Sequence, residues 1–188
     1  RFGSILLAER RVEGGKKEKY AVRCTSIEDD DDYEPDSELV KYFYREVGTY
    51  IQIKNHPVIC KFYGFTVKPQ QIILEYFENG SLQDIFTSLL KGKTVKNWNG
   101  TMKSKTVFGI ACALLHLQNQ KLFHRYLTPS SILFDSNNEP RLVDFAYAKF
   151  NADNTEHTVT TSPWPVYRAP EIDTEHYDER ADNFSYGV

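Results

Sequence analysis

The side chains able to do chemistry lie in two regions. In the stretch LFHRYLTPSSILFDSNNEPRLVDFAYAK (122–149), His124, Arg125 and Tyr126 stand together, Ser131 follows, and Asp144-Phe145 lies near the end. Earlier in the chain, Arg23 follows Tyr20-Ala21-Val22, and Glu46 sits in Arg45-Glu46-Val47. A carboxylate such as Asp144 suits a hard cation, and a neutral hydroxyl such as Ser131 suits one less well. Arg23 brings a permanent, forked positive charge. Tyr126 brings a phenol, neutral at pH 7 with an ordinary pKa of about 10. Taken singly, Arg23 reads as a surface Arg on a strand and Glu46 as a solvent-facing helix Glu. They matter chemically only if they pair with each other.

The elements that must position these groups follow from pattern and punctuation. Ile5-Leu6-Leu7-Ala8, the turn Gly14-Gly15 and Lys19 to Cys24 predict a β-hairpin over 5–24. Leu39, Phe43, Val47, Tyr50 and Ile51 recur at helical spacing within 37–53, with Asp36 or Ser37 as the cap. Gly48 costs that helix about 1 kcal/mol relative to Ala, which predicts a helix able to move or fray. Asn55-His56-Pro57 ends it. Strands are predicted over 59–67 and 71–77, and Glu78 to Leu82 turns into a further helix. Residues 91–105 hold five lysines around Trp98 and read as a linker, with a phosphate-binding patch as the alternative. Val107, Ile110, Ala111, Leu114 and Leu115 predict one buried helix face over 106–118, delivering the chain to His124.

Composition sets the outer bounds. The 188 residues suffice for one domain with a core, and 40% hydrophobic with 26% charged is ordinary for a soluble globular chain. There is no run of 18 apolar residues, so no membrane segment is expected, and no leader opens the stretch. Cys24, Cys60 and Cys112 lack C-x-x-C spacing and predict reduced thiols in a cytoplasmic setting. The net charge is −3, yet residues 28–38 carry eight acids and no base. That run reads as a solvated loop, or alternatively as a docking site for a basic partner. The remainder sums to about +5 and makes no nucleic-acid footprint. Three Asn-x-Ser/Thr triplets, at Asn79, Asn99 and Asn183, are taken as chance.

The order of these stretches resembles that of a protein kinase. His124-Arg125-Tyr126 and Ser131 align with H-R-D-L-x-x-x-N, and Asp144-Phe145-Ala146 with D-F-G. Tyr20-Ala21-Val22-Arg23 is similar to V-A-I-K, Ala169-Pro170-Glu171 matches A-P-E, and Asp182 to Val188 resembles the start of the large central helix of the C-lobe. The resemblance covers the whole chain and points to the tyrosine-kinase-like group through Glu78-Asn79-Gly80-Ser81-Leu82. It implies an α+β, bilobal protein-kinase-like fold: residues 1–76 as an N-lobe of antiparallel sheet plus one helix, and 77–188 as part of a helical C-lobe. The first glycines and the later helices would be missing, so a fragment is expected.

The resemblance also implies roles. Gly3 would close a glycine-rich loop. Ile5, Ala21 and Leu133 would sandwich an adenine, Leu74 would be the gatekeeper, and Glu75, Tyr76 and Phe77 would form the hinge. Arg23 would replace the phosphate-holding Lys and pair with Glu46. Asp144 would hold Mg²⁺, with Ser131 a degenerate second ligand. Tyr126 replaces the catalytic Asp, and Thr128 replaces a further phosphate contact. Residues 144–171, with Thr155, Thr158, Thr160 and Thr161, would be an activation segment facing Arg125. Tyr50, Phe62, Phe145 and His124, anchored by Asp182, would form a column joining the lobes.

Phosphoryl transfer depends on positioning, metal and charge neutralisation. A missing general base costs about 10² to 10⁴ in rate. The expected reading is a pseudokinase that binds ATP weakly, with Mg²⁺ in question, and serves as a scaffold or allosteric regulator of a protein partner such as another kinase. The alternatives are a weakly active protein kinase and a structural remnant without ligand.

Overall fold

The computed structural model describes residues 4–25, 38–53, 55–150, 165–173 and 180–188. The predicted hairpin forms as β1 (Ser4–Arg11) and β2 (Lys17–Cys24), paired antiparallel with Ile5 opposite Arg23 and Leu7 opposite Ala21. β3 (Phe62–Thr66) and β4 (Gln71–Glu75) complete a four-stranded antiparallel sheet in the order β1-β2-β4-β3. β3 and β4 are shorter than the predicted strands. Ile59 bridges in parallel to Leu142, and the Cys60 N–H donates to the Leu142 carbonyl, so that backbone is used elsewhere.

Helix α1 (Glu38–Gln52) packs on the sheet through Phe43, whose ring lies 6.3 Å from that of Phe65. Its buried face is Val40, Phe43, Glu46, Val47, Thr49 and Tyr50. Ile51, expected on that face, is 62% exposed. Glu46, an ordinary surface residue by type, is 1% exposed. The proposed caps Asp36 and Ser37, and all of the acidic run except Glu38, lie outside the described residues.

Beyond β4 the chain is mainly helical, which completes the expected α+β arrangement. α2 (Leu82–Leu90) starts at a capping box in which the Ser81 side chain accepts from the Asp84 N–H and the Asp84 carboxylate accepts from the Ser81 N–H. α3 (Gly100–Asn119) starts earlier than predicted because the Asn99 side chain caps it, accepting from the Met102 N–H at 3.0 Å. Lys103 and Lys105, read as linker, therefore lie in a helix. The buried face of α3 is Met102, Thr106, Ile110, Ala113, Leu114 and Leu117, whereas Val107 and Leu115 are exposed.

After α3 come β5 (Leu122–Phe123), β6 (Ile132–Phe134), β7 (Pro140–Leu142) and β8 (Lys149–Phe150), with β5 paired to β8 and β6 to β7. Asp135 shapes the β6–β7 turn. Its carboxylate accepts from the Asn137 and Glu139 N–H groups, each at 2.9 Å, and from Arg141 at 2.8 Å. The chain closes with α4 (Arg180–Gly187). One apolar cluster runs from α1 and the sheet through α2, α3 and β5 to β7, and the loops bearing His124 and Asp144 hang from it.

Candidate functional site

Arg23 lies near the end of β2 opposite Ile72 of β4, which directs it under the sheet toward α1. Its Nη1 donates to Glu46 Oε1 at 2.7 Å and lies 3.3 Å from Asp144 Oδ1. Three residues far apart in sequence thus form one buried ionic group. Burial pulls the Arg23 pKa down, but the Glu46 and Asp144 carboxylates outweigh it and raise it further. Burial pushes Glu46 up to about 7 against the pull of Arg23.

The His124 loop is held by buried hydrogen bonds. Asp182 on α4 accepts from the His124 and Arg125 N–H groups, both at 2.7 Å. His124 Nε2 lies 2.9 Å from the Val143 carbonyl, which can only accept, so Nε2 carries the proton and Nδ1 accepts from the Tyr126 N–H at 3.2 Å. Burial lowers the His124 pKa and favours this neutral form. Both ring nitrogens are engaged, and His124 braces the loop against Val143 and Tyr126.

The column joining sheet and loops assembles as expected. Tyr50 stacks on Phe62 at 5.5 Å, and Phe145 meets Tyr50 at 5.1 Å and His124 at 5.0 Å. Arg125 and Asp144 adopt left-handed backbone, φ 63° and 69°. Asp tolerates that region well, and Arg125 is kept there by its bond to Asp182. Ala146 lies in a short 3-10 turn (Phe145–Tyr147) and has no positive φ, so glycine's extra freedom is not required there.

Tyr126 is buried. Its ring lies 5.0 Å from Tyr147, which lies 5.1 Å from Tyr42 on α1. Tyr42 and Tyr147 escaped the sequence reading. Burial, with Tyr42 and Tyr126 adjoining, raises the Tyr147 pKa. A ladder of three phenols thus links α1 to the loop that carries Tyr126.

On the sheet side, Leu74 is buried opposite Ala21 and Phe62. Ala21 and Leu133 are half-buried against the core, and Leu133 bridges to Ser81. Ile5 is exposed. The Glu75 carboxylate accepts from the Lys61 N–H at 3.2 Å, and Phe77 is buried. Gly3 and the threonines 155–161 lie outside the described residues.

A family model described as the protein kinase domain matches residues 2–188. The chain belongs to the protein kinase domain family. It is 36% identical over 123 residues to the leucine-rich repeat receptor-like serine/threonine/tyrosine-protein kinase SOBIR1 of Arabidopsis thaliana, a match covering 62% of this chain and 19% of that protein. It is 30% identical over 147 residues to the dual specificity protein kinase pyk3 of Dictyostelium discoideum, covering 78% of this chain and 10% of that protein. The chain therefore spans a fifth or less of the length of these relatives.

Protein kinase domains bind ATP together with Mg²⁺. Of the residues expected to sandwich an adenine, Ala21 and Leu133 lie half-buried against the core while Ile5 is exposed, and the expected gatekeeper Leu74 is buried. The positions assigned to the ion do not fit it. Mg²⁺ needs near-octahedral oxygen ligands. Asp144 already faces the Arg23 guanidinium. The buried Ser131 hydroxyl donates to the Thr128 carbonyl at 2.9 Å and accepts from the Thr128 N–H at 3.0 Å. Among the described residues no group of three or more His, Cys, Asp or Glu could hold a metal. No described helix is long and apolar enough to cross a membrane.

Proposed function

We propose that this kinase domain is a pseudokinase: it binds an adenine nucleotide weakly, has lost phosphoryl transfer, and acts as a scaffold or allosteric regulator of a protein partner, such as another kinase, in the cytoplasm. The observation that carries this reading is Tyr126. A phenol packed on Tyr147 stands at the position where the family places the Asp that orients the substrate hydroxyl. The ring fills space that a substrate side chain would need. Ser131, bonded to its own loop, adds to the same reading. The two lobes would meet near Tyr76 and Phe77, and nucleotide affinity on the order of 10 to 1,000 μM would come mainly from the base.

Two observations favour a second reading, a weakly active kinase. The Arg23–Glu46 pair is made at 2.7 Å, and the aromatic column is assembled. Radiolabelled ATP with Mg²⁺ or Mn²⁺ and generic protein substrates separates the two. The pseudokinase reading expects incorporation at background. Labelling abolished by Asp144→Ala would establish the active alternative.

A further inference from the structure

We propose that the domain takes its adenine nucleotide without a divalent cation, the Arg23 guanidinium occupying the electrostatic role beside Asp144 that an ion would otherwise fill. This rests on the nucleotide-binding reading above.

The argument starts from the ionic group. Arg23 Nη1 is held between Glu46 at 2.7 Å and Asp144 at 3.3 Å. Arg23 is 8% exposed and its Glu46 partner 1%, so the guanidinium is fixed in place by its surroundings. A guanidinium does not lose its proton in a protein, unlike the Lys that the family places here. Any cation approaching Asp144 therefore meets a permanent like charge that already satisfies the carboxylate.

The second ligand position adds nothing to attract an ion. The Ser131 hydroxyl is spent on both sides of Thr128 and is fully buried. Mg²⁺ gives up its waters reluctantly, and a neutral, already bonded hydroxyl offers little in exchange.

The charge balance has a second consequence. Above about pH 7, where Glu46 is ionised, the Glu46 and Asp144 carboxylates outnumber the Arg23 guanidinium beside them and the group is net negative. Without a divalent cation, that group does not favour phosphates. Affinity then resides in the base and ribose, and added phosphates weaken binding or leave it unchanged. A site built around a metal–nucleotide complex has the reverse order, with ATP tightest and only when the ion is present.

The test is calorimetric titration of the full-length protein with adenosine, ADP and ATP, each in Mg²⁺ and in EDTA. The expected result is that each ligand keeps its affinity within about threefold between the two buffers, and that ATP binds no tighter than adenosine. Asp144→Asn, which removes one negative charge near the phosphates, is expected to tighten ATP in EDTA. Tightening of wild-type ATP binding by Mg²⁺ beyond about threefold overturns the inference while leaving nucleotide binding intact. Loss of ATP binding in Asp144→Asn in Mg²⁺, with adenosine binding retained, overturns it too. Absence of binding by all three ligands in both buffers removes the nucleotide reading itself, and this inference with it.

Discussion

The Tyr126 ring lies 5.0 Å from the Tyr147 ring, tilted by 32°, and Tyr147 rests in turn on Tyr42 of α1. The position assigned to catalysis is thus filled by aromatic packing rather than by a carboxylate. We expect Tyr126→Asp alone not to create activity. It places a carboxylate where a ring was packed, while Ser131 and Arg23 remain unchanged. Losing a buried aromatic ring costs about 3 kcal/mol or more, so the variant should also be less stable. Phosphate incorporation and urea denaturation read the two outcomes. Activity gained in Tyr126→Asp would mean that the ladder is a replaceable plug on otherwise competent machinery.

The burial of Glu46 sets a pH dependence, which the pull of Arg23 only reduces. Glu46 is raised to about 7 when folded, from an ordinary value of 4.5. A raised folded-state pKa contributes stability that is fully present below about pH 4.5 and is lost as pH rises through about 7. The loss should be on the order of 3 kcal/mol. Glu46→Gln cannot titrate, so the stability of wild type relative to this variant should fall between about pH 5 and pH 8. Chemical denaturation at both pH values measures it. A relative gain by wild type would show that the pull of Arg23 outweighs burial.

Asp182 holds the loop through two backbone N–H groups at 2.7 Å. Asp182→Asn leaves one of them facing an amide N–H₂ and removes the charge that strengthened both bonds. A loss of about 3 kcal/mol is expected, and the His124 ring protons should shift in NMR spectra. A change below about 0.5 kcal/mol would show that the loop stands without this anchor.

Much of this arrangement was legible because its signals are local or ordered. The β1–β2 hairpin followed from two apolar runs and a Gly-Gly turn, and the column followed from the order of motifs. Helix faces were less legible. Counting apolar residues placed Ile51, Val107 and Leu115 inward, yet they are 62%, 57% and 58% exposed. Glu46 and Thr106 took inward positions because each finds a buried partner, Arg23 or the Met102 carbonyl. Composition cannot price such a pairing. The Tyr42–Tyr147–Tyr126 ladder was missed for another reason: its members come from a helix and two irregular loops, which share no periodicity.

Two glycines give opposite expectations for the same substitution. Gly48 lies within α1, and a Cβ there meets nothing within 4 Å. Gly48→Ala should stabilise by about 0.5–1 kcal/mol through helix propensity. Gly109 lies within α3, and a Cβ there would come 2.9 Å from Pro140 Cγ and 3.5 Å from Val58 Cγ2. A proline ring yields little, so Gly109→Ala should destabilise by about 1–2 kcal/mol despite the same propensity gain. Thermal unfolding of both variants decides it; equal signs would refute the packing assigned to α3 against β7.

The adenine positions can be tested through stability alone. Ala21 and Leu133 are half-buried against the core, and Leu74 is buried between Ala21 and Phe62 in the sheet register. If these side chains clasp a base, ligand binding must raise the melting temperature by linkage. At about 1 mM ligand and a Kd near 10 μM the gain is about 2.7 kcal/mol, and at the weak end of the proposed range it is small. Adenosine should give a gain at least equal to those of ADP and ATP, because the base supplies most of the contact. Leu133→Asp should abolish it by placing a carboxylate under the base, where burial without a partner is costly. A thermal shift series with the three ligands measures this, with folding of the variant checked by circular dichroism. A shift in Leu133→Asp equal to that of wild type would place the ligand elsewhere. No shift with any ligand would leave the domain as a scaffold without a nucleotide.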